Sequence, residues 1–189
     1  MNGTKLSADF NFDYYGEFYM KIDNKKARII LAVIIAVSLV ISTVYMFAKQ
    51  GFHEDELLTY NLANSSKQLN VDGGWNSPED FNEYLAVSPD DRFDYAQVYE
   101  NQIIDASHPP LYYALVHTVC SFFPSVFSKW LAYSINVLAM AGILIMLYKI
   151  GRKITGNNLY ALIGVGAYAL SIACITTTIY LRMYATLTF

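Results

Sequence analysis

Three stretches of this chain contain no charged residue: 29–48, 130–148 and 159–181, of twenty, nineteen and twenty-three residues. A helix of about twenty residues covers roughly 30 Å, the thickness of a bilayer's hydrocarbon core. Signal-peptide apolar regions run about 7–15 residues and end at a small-residue cleavage site. The first run is longer than that and ends in Met46-Phe47-Ala48, a poor cleavage site, so it reads as an uncleaved membrane helix. Composition agrees. Of 189 residues, 54% are hydrophobic and 15% charged, whereas soluble domains carry about 25% charged residues. An aromatic content of 15% excludes a disordered chain. A net charge of −3 argues against nucleic acid as a partner. Cys120 and Cys174 lie in apolar runs and form neither a disulfide framework nor a zinc pattern.

The charges suggest a topology. Residues 1–28 form a polar tail ending in Lys21, Lys25, Lys26 and Arg28. Residues 49–107 hold twelve of the sixteen acids, opposed by Lys49, Lys67 and Arg92. The positive-inside rule then puts the N-terminus in the cytoplasm and this acidic loop outside, as in a bacterial plasma membrane. Turn signals at Asp72-Gly73-Gly74 and Ser88-Pro89-Asp90 break up the loop, with helices expected around 54–65 and 78–85. A second span, 128–148, leads through a basic turn, 149–158, into a third, 159–181. The turn carries Lys149, Arg152 and Lys153 and reads as cytoplasmic.

The segment 108–127 is the ambiguous one. Its apolar part, 111–123, is thirteen residues between Pro109-Pro110 and Pro124, about 20 Å as a helix. An interfacial or re-entrant helix keeps the basic turn inside. Extension to Phe127 gives seventeen residues and leaves a crossing open. The expected fold class is therefore all-α: a polytopic helical membrane protein with three spans plus one short helix. Residues 182–189 would begin a second outer segment. The apolar ending ATLTF reads as the opening section of a longer protein.

Three places hold residues suited to chemistry. His53-Glu54-Asp55-Glu56 follows the first span directly. Acids clustered near low dielectric suit proton transfer, and with His53 could hold a divalent cation. A solvated acidic helix start is the plainer reading. His108 stands before Pro109-Pro110-Leu111-Tyr112-Tyr113, where the prolines fix the backbone at a helix mouth. Arg182, between Tyr180 and Tyr184, either anchors the helix end in the interface or pairs with a phosphate. Asp72-Gly73-Gly74-Trp75 would serve as a sugar-contacting turn or as an interfacial Trp.

Taken in order, Asp55-Glu56 after the first helix, HPPLYY, the LYKIGRKITG turn and RMYATL resemble the N-terminal part of the GT-C membrane glycosyltransferases. The resemblance is to the family-39 group, with its protein O-mannosyltransferases and aminoarabinose transferases. It covers residues 28–189. It implies a transferase that moves a hexose or pentose, with inversion, from a polyprenyl-phosphate-sugar donor to a protein, glycan or lipid acceptor outside the cytoplasm. Asp55, with Glu56 beside it, would be the general base or metal-linked acid. His108, Arg182 and Tyr184 would contact substrate, Arg182 near the carrier phosphate. Where some relatives carry a second acid, this chain has Ala185 and Thr186, which leaves a metal ion without that ligand. The fragment alone would lack much of the lipid cavity. The competing reading is a non-enzymatic small polytopic protein or subunit. A transporter fragment fits less well, because the uncharged runs 29–48, 130–148 and 159–181 carry no ionisable residue other than tyrosine and cysteine.

Overall fold

The computed structural model describes residues 10–12, 18–20, 22–67, 69 and 78–189, so the Asp72-Gly73-Gly74-Trp75 turn lies outside the described residues. Among the described residues the regular structure is helical apart from one short antiparallel pair, β1 (Phe10–Phe12) with β2 (Phe18–Met20), in which Phe10 pairs with Met20.

Helix α1 (Asn24–Ala48) starts five residues before the uncharged run. The Asp23 carboxylate accepts from the backbone N–H groups of Lys25 and Lys26, both at 2.9 Å, and so caps the helix there. Helix α6 (Lys129–Thr155) starts at the Ser128 cap and stops at Gly156, which takes φ 66°. That left-handed conformation suits glycine and closes the helix. Lys149, Arg152 and Lys153 therefore belong to α6, and the expected basic turn at 149–158 shrinks to Gly156 and Asn157. Cations near a helix C-terminus are favoured by its dipole, so the helix has no reason to end before them.

The expected third span, 159–181, is not one straight helix. It is α7 (Asn158–Ala169) and α8 (Ile172–Ile179), bent by 57° at the break. Ser171 makes the break: its hydroxyl donates to the Tyr168 carbonyl and accepts from the Cys174 N–H. Ser38, buried on α1, donates to the Ala169 carbonyl at 2.9 Å. Carbonyls freed by a broken helix are thus satisfied within the protein, as an apolar environment requires. Among the described residues two helices, α1 and α6, are long and apolar enough to cross a membrane, and the bent pair makes a third candidate if it counts as one span.

Asn158 ties the bundle together at one end, donating to the Ile22 carbonyl at 2.8 Å and to the Asn24 side chain at 3.1 Å. The start of α1 thereby meets the start of α7, and Lys25, Lys26 and Arg28 share an end with Arg152 and Lys153. At the opposite, loop end sit α2 (Glu54–Asn64), α3 (Pro78–Leu85), α4 (Tyr95–Asp105) and α5 (Pro110–Ser121). Their core is largely aromatic, with Tyr60, Tyr112 and Tyr113 fully enclosed around Val98, Val116 and Leu181. Helix α5 is twelve residues, about 18 Å, and packs on α2 and α4.

Residues 182–189, expected to begin a second outer segment, contain helix α9 (Tyr184–Thr188). It lies back along α6, where a Cβ added to Gly142 would collide with the Phe189 ring.

Candidate functional site

The start of α2 is built by its own sequence. His53 is the N-cap, and its Nδ1 accepts from the Asp55 N–H at 3.2 Å. The Glu56 carboxylate reaches back to the His53 N–H at 2.8 Å, completing a capping box. The positive end of the helix favours all three acids of the first turn. Only one of them is left for chemistry near the other candidate residues.

Glu56 is fully buried and fully engaged. Besides His53 it accepts from the Leu181 N–H at 2.8 Å and forms an ion pair with Lys49. Glu56, expected to act beside Asp55 on substrate, thus has internal partners for its carboxylate. The carboxylate locks the end of α1, the start of α2 and the segment after α8 together. Asp55, one residue earlier, keeps 41% of its side-chain surface. Its carboxylate accepts from the Tyr180 hydroxyl at 2.8 Å. That hydrogen bond, with the charge of Arg182 and the nearby His53 and His108, holds the Asp55 pKa below the usual carboxylate value.

Arg182 is only 4% exposed, yet its contacts are all with neutral acceptors. One guanidinium nitrogen donates to the Asp55 carbonyl at 3.0 Å and to the Thr59 hydroxyl at 3.4 Å. The other lies 3.0 Å from His108 Nε2. Its Nε is buried without a hydrogen-bond partner, and none of the ion pairs among the described residues includes Arg182. His108 Nδ1 lies 2.6 Å from an Asp105 oxygen. The two contacts assign the tautomer: Nδ1–H donates to Asp105, and the Nε2 lone pair accepts from Arg182. A left-handed residue, Ala106 at φ 54°, ends α4 and turns Asp105 toward His108.

A polar chain through the apolar bundle sets the position of Tyr180. The Tyr112 hydroxyl donates to Asn136 Oδ1 at 3.2 Å. The Asn136 amide in turn donates to the Thr178 and Tyr180 carbonyls at 3.3 and 2.7 Å. The last turn of α8 is thereby held to α6 and to the HPPLYY helix. Tyr184 stacks in parallel on Tyr180, 5.9 Å between ring centroids and 7° between planes.

Asp55, His108 and Arg182 are therefore brought together from three separate segments, with Tyr184 joined to them through Tyr180. Tyr180, Thr59, Asp105 and Asn136 are members that the sequence reading did not single out. The signals were weak: Asp105 lies three residues before His108, and Asn136 is an amide inside an apolar run. Of the residues expected as possible cation ligands, Glu56 turns inward to Lys49, and His53 Nδ1 accepts from the Asp55 N–H. Among the described residues no group of three or more His, Cys, Asp or Glu side chains is assembled to hold a metal. Comparison with protein-family models, curated proteins and solved structures finds no match.

Proposed function

We propose that the chain is the N-terminal part of a membrane glycosyltransferase that moves a sugar from a polyprenyl-phosphate carrier to an acceptor hydroxyl, with its site on the extracytoplasmic side. The supporting observation is the juxtaposition of Asp55 with Arg182 and His108 at the end of the apolar helices. The two charged groups have complementary uses in such a transfer. An ionised, partly exposed Asp55 accepts the hydrogen bond of the attacking hydroxyl and takes its proton as the anomeric C–O bond breaks. Its lowered pKa makes it a weak base that stays ionised at neutral pH. Its main service is to orient the hydroxyl. Arg182 carries a charge that no carboxylate contact neutralises. It suits the negative charge that grows on the departing phosphate. Asp105, acting through His108, holds the guanidinium in place. Glu56 and Lys49 are positioning residues in this scheme.

The test is transfer of a labelled sugar from polyprenyl-phosphate donors by the full-length protein that carries this chain, in membranes. Asp55→Asn should lower transfer by roughly 10²–10⁴-fold with unchanged membrane insertion. Full activity in Asp55→Asn removes the role given to Asp55. A wild-type protein that transfers no sugar from any such donor favours a non-enzymatic polytopic subunit.

A further inference from the structure

We infer that the groove bounded by Tyr180 and Tyr184 seats the sugar ring of the lipid-linked donor, with the open face of Tyr184 as its stacking platform. This rests on the glycosyl-transfer reading above and adds where the sugar sits and by what chemistry. The groove encloses about 430 Å³ and is lined by Lys49, Thr176, Thr177, Ile179, Tyr180 and Tyr184. That volume falls within the roughly 300–1,000 Å³ of small-molecule sites.

Three features select a neutral polyol over other ligands. The first is a rigid aromatic wall. Tyr180 is pinned through its hydroxyl to Asp55, and Tyr184 stacks on it while remaining 45% exposed. Tyr180 stacks along Tyr184, and the exposed part of the Tyr184 ring is the surface that covers the apolar C–H face of a pyranose or furanose. The second is charge. Lys49 is the one cation in the wall, and its ammonium is already taken by the Glu56 carboxylate and the Ile179 carbonyl. An anion gains little here compared with Arg182. The third is the rim. The Thr176 hydroxyl donates to the Ile172 carbonyl at 2.8 Å and keeps lone pairs that accept from a sugar hydroxyl. An aliphatic chain has no use for such a rim. The position also fits. The wall residue Tyr180 is 2.8 Å from the Asp55 carboxylate, and Thr176 and Thr177 lie on the last turn of α8, where the bundle meets α2.

The experiment is direct binding to the full-length protein that carries this chain, in lipid nanodiscs. The probes are farnesyl phosphate, bare and as its mannosyl, glucosyl and arabinosyl derivatives. The variants are Tyr184→Phe, Tyr184→Leu and Thr177→Val. At least one glycosylated probe should bind the wild type more tightly than the bare phosphate. Tyr184→Leu should weaken that probe about tenfold and leave the bare phosphate unchanged, while Tyr184→Phe keeps both. Thr177→Val, which keeps the side-chain shape, should weaken the same probe alone. Equal loss on bare and glycosylated probes means Tyr184 only anchors the chain in the interface, and overturns the groove assignment. So does an unchanged affinity in both Tyr184→Leu and Thr177→Val. A wild type that binds neither kind of probe overturns the glycosyl-transfer reading, and the groove assignment with it.

Discussion

The two ends of α1 belong to differently built regions. Along the helix itself the outward residues are apolar: Val33, Val37, Val40 and Val44 are all exposed, and the helix buries little against its neighbours. Its partners are held by small residues such as Ala161 and Ala169, with single hydroxyls at the helix break. Just past Lys49 the pattern inverts. The loop-end layer puts Tyr60, Tyr112 and Tyr113 inside and staples its helices through side chains to backbone. Tyr60 donates to the Ser128 carbonyl, Asn64 to that of Leu85, and Asn101 to those of Leu62 and Ser65. One region has an apolar outer surface and few polar ties, and the other is tied together by side-chain-to-backbone hydrogen bonds. The candidate site stands on the seam, where an apolar wall lowers the local dielectric and the loop layer supplies the charges.

The strongest way to break this comparison is to remove the ion pair at the seam. Glu56→Gln leaves Lys49 without its carboxylate and should cost roughly 3 kcal/mol, the low end of the range for a broken buried pair because Lys49 keeps some exposure. Thermal unfolding in detergent checks it, with Asp55→Asn as the mild control one residue away. A loss no greater than that of the control would mean that Glu56 does not hold the seam. Next in size is the solvent contrast. Val40→Arg on α1 should disfavour membrane insertion by about 2.5–3.5 kcal/mol. Ile103→Arg on α4, at similar exposure, should be close to neutral. An insertion assay that finds the two alike would abolish the distinction between the regions.

A smaller effect attends the bend in the third candidate span. Ser38→Ala orphans the Ala169 carbonyl and should cost about 1–2 kcal/mol, again read from thermal unfolding. The smallest effect is electrostatic. Because the folded-state pKa of Asp55 is lowered, its stabilising contribution is complete above the ordinary carboxylate range and is lost as the pH falls through the lowered value. Tyr180→Phe removes the largest cause. The Asp55 carboxyl band in infrared difference spectra against Asp55→Asn should then titrate at higher pH. An unmoved band would show that the hydrogen bond does not set the shift.

Parts of the site were legible in the residues themselves. Asp55 follows a membrane-length helix, His108 sits before two prolines, and Arg182 breaks a long apolar run. The split between Asp55 and Glu56 was not legible. Adjacent carboxylates look equivalent in a sequence, and only the helix phase and the approach of Lys49 and Leu181 bury one of them. The bend at Ser171 was hidden for a related reason. A serine in an apolar run costs little in helix propensity, and the break depends on Ser38 arriving from a helix more than a hundred residues earlier in the chain. Helix α4 was hidden because its Asp94 cap looks like one more acid in a charged loop.

By itself the sequence determined the helical character and the presence of runs apolar enough to cross a membrane. Uncharged runs of about twenty residues leave few other ways to be stable, and that is a local property of composition and length. The tertiary structure decided which carboxylate stays accessible, that the third apolar run bends, and that Tyr180 rather than Glu56 stands beside Asp55. Those outcomes depend on pairings between residues up to 131 positions apart, whose energies exist only once the helices have packed.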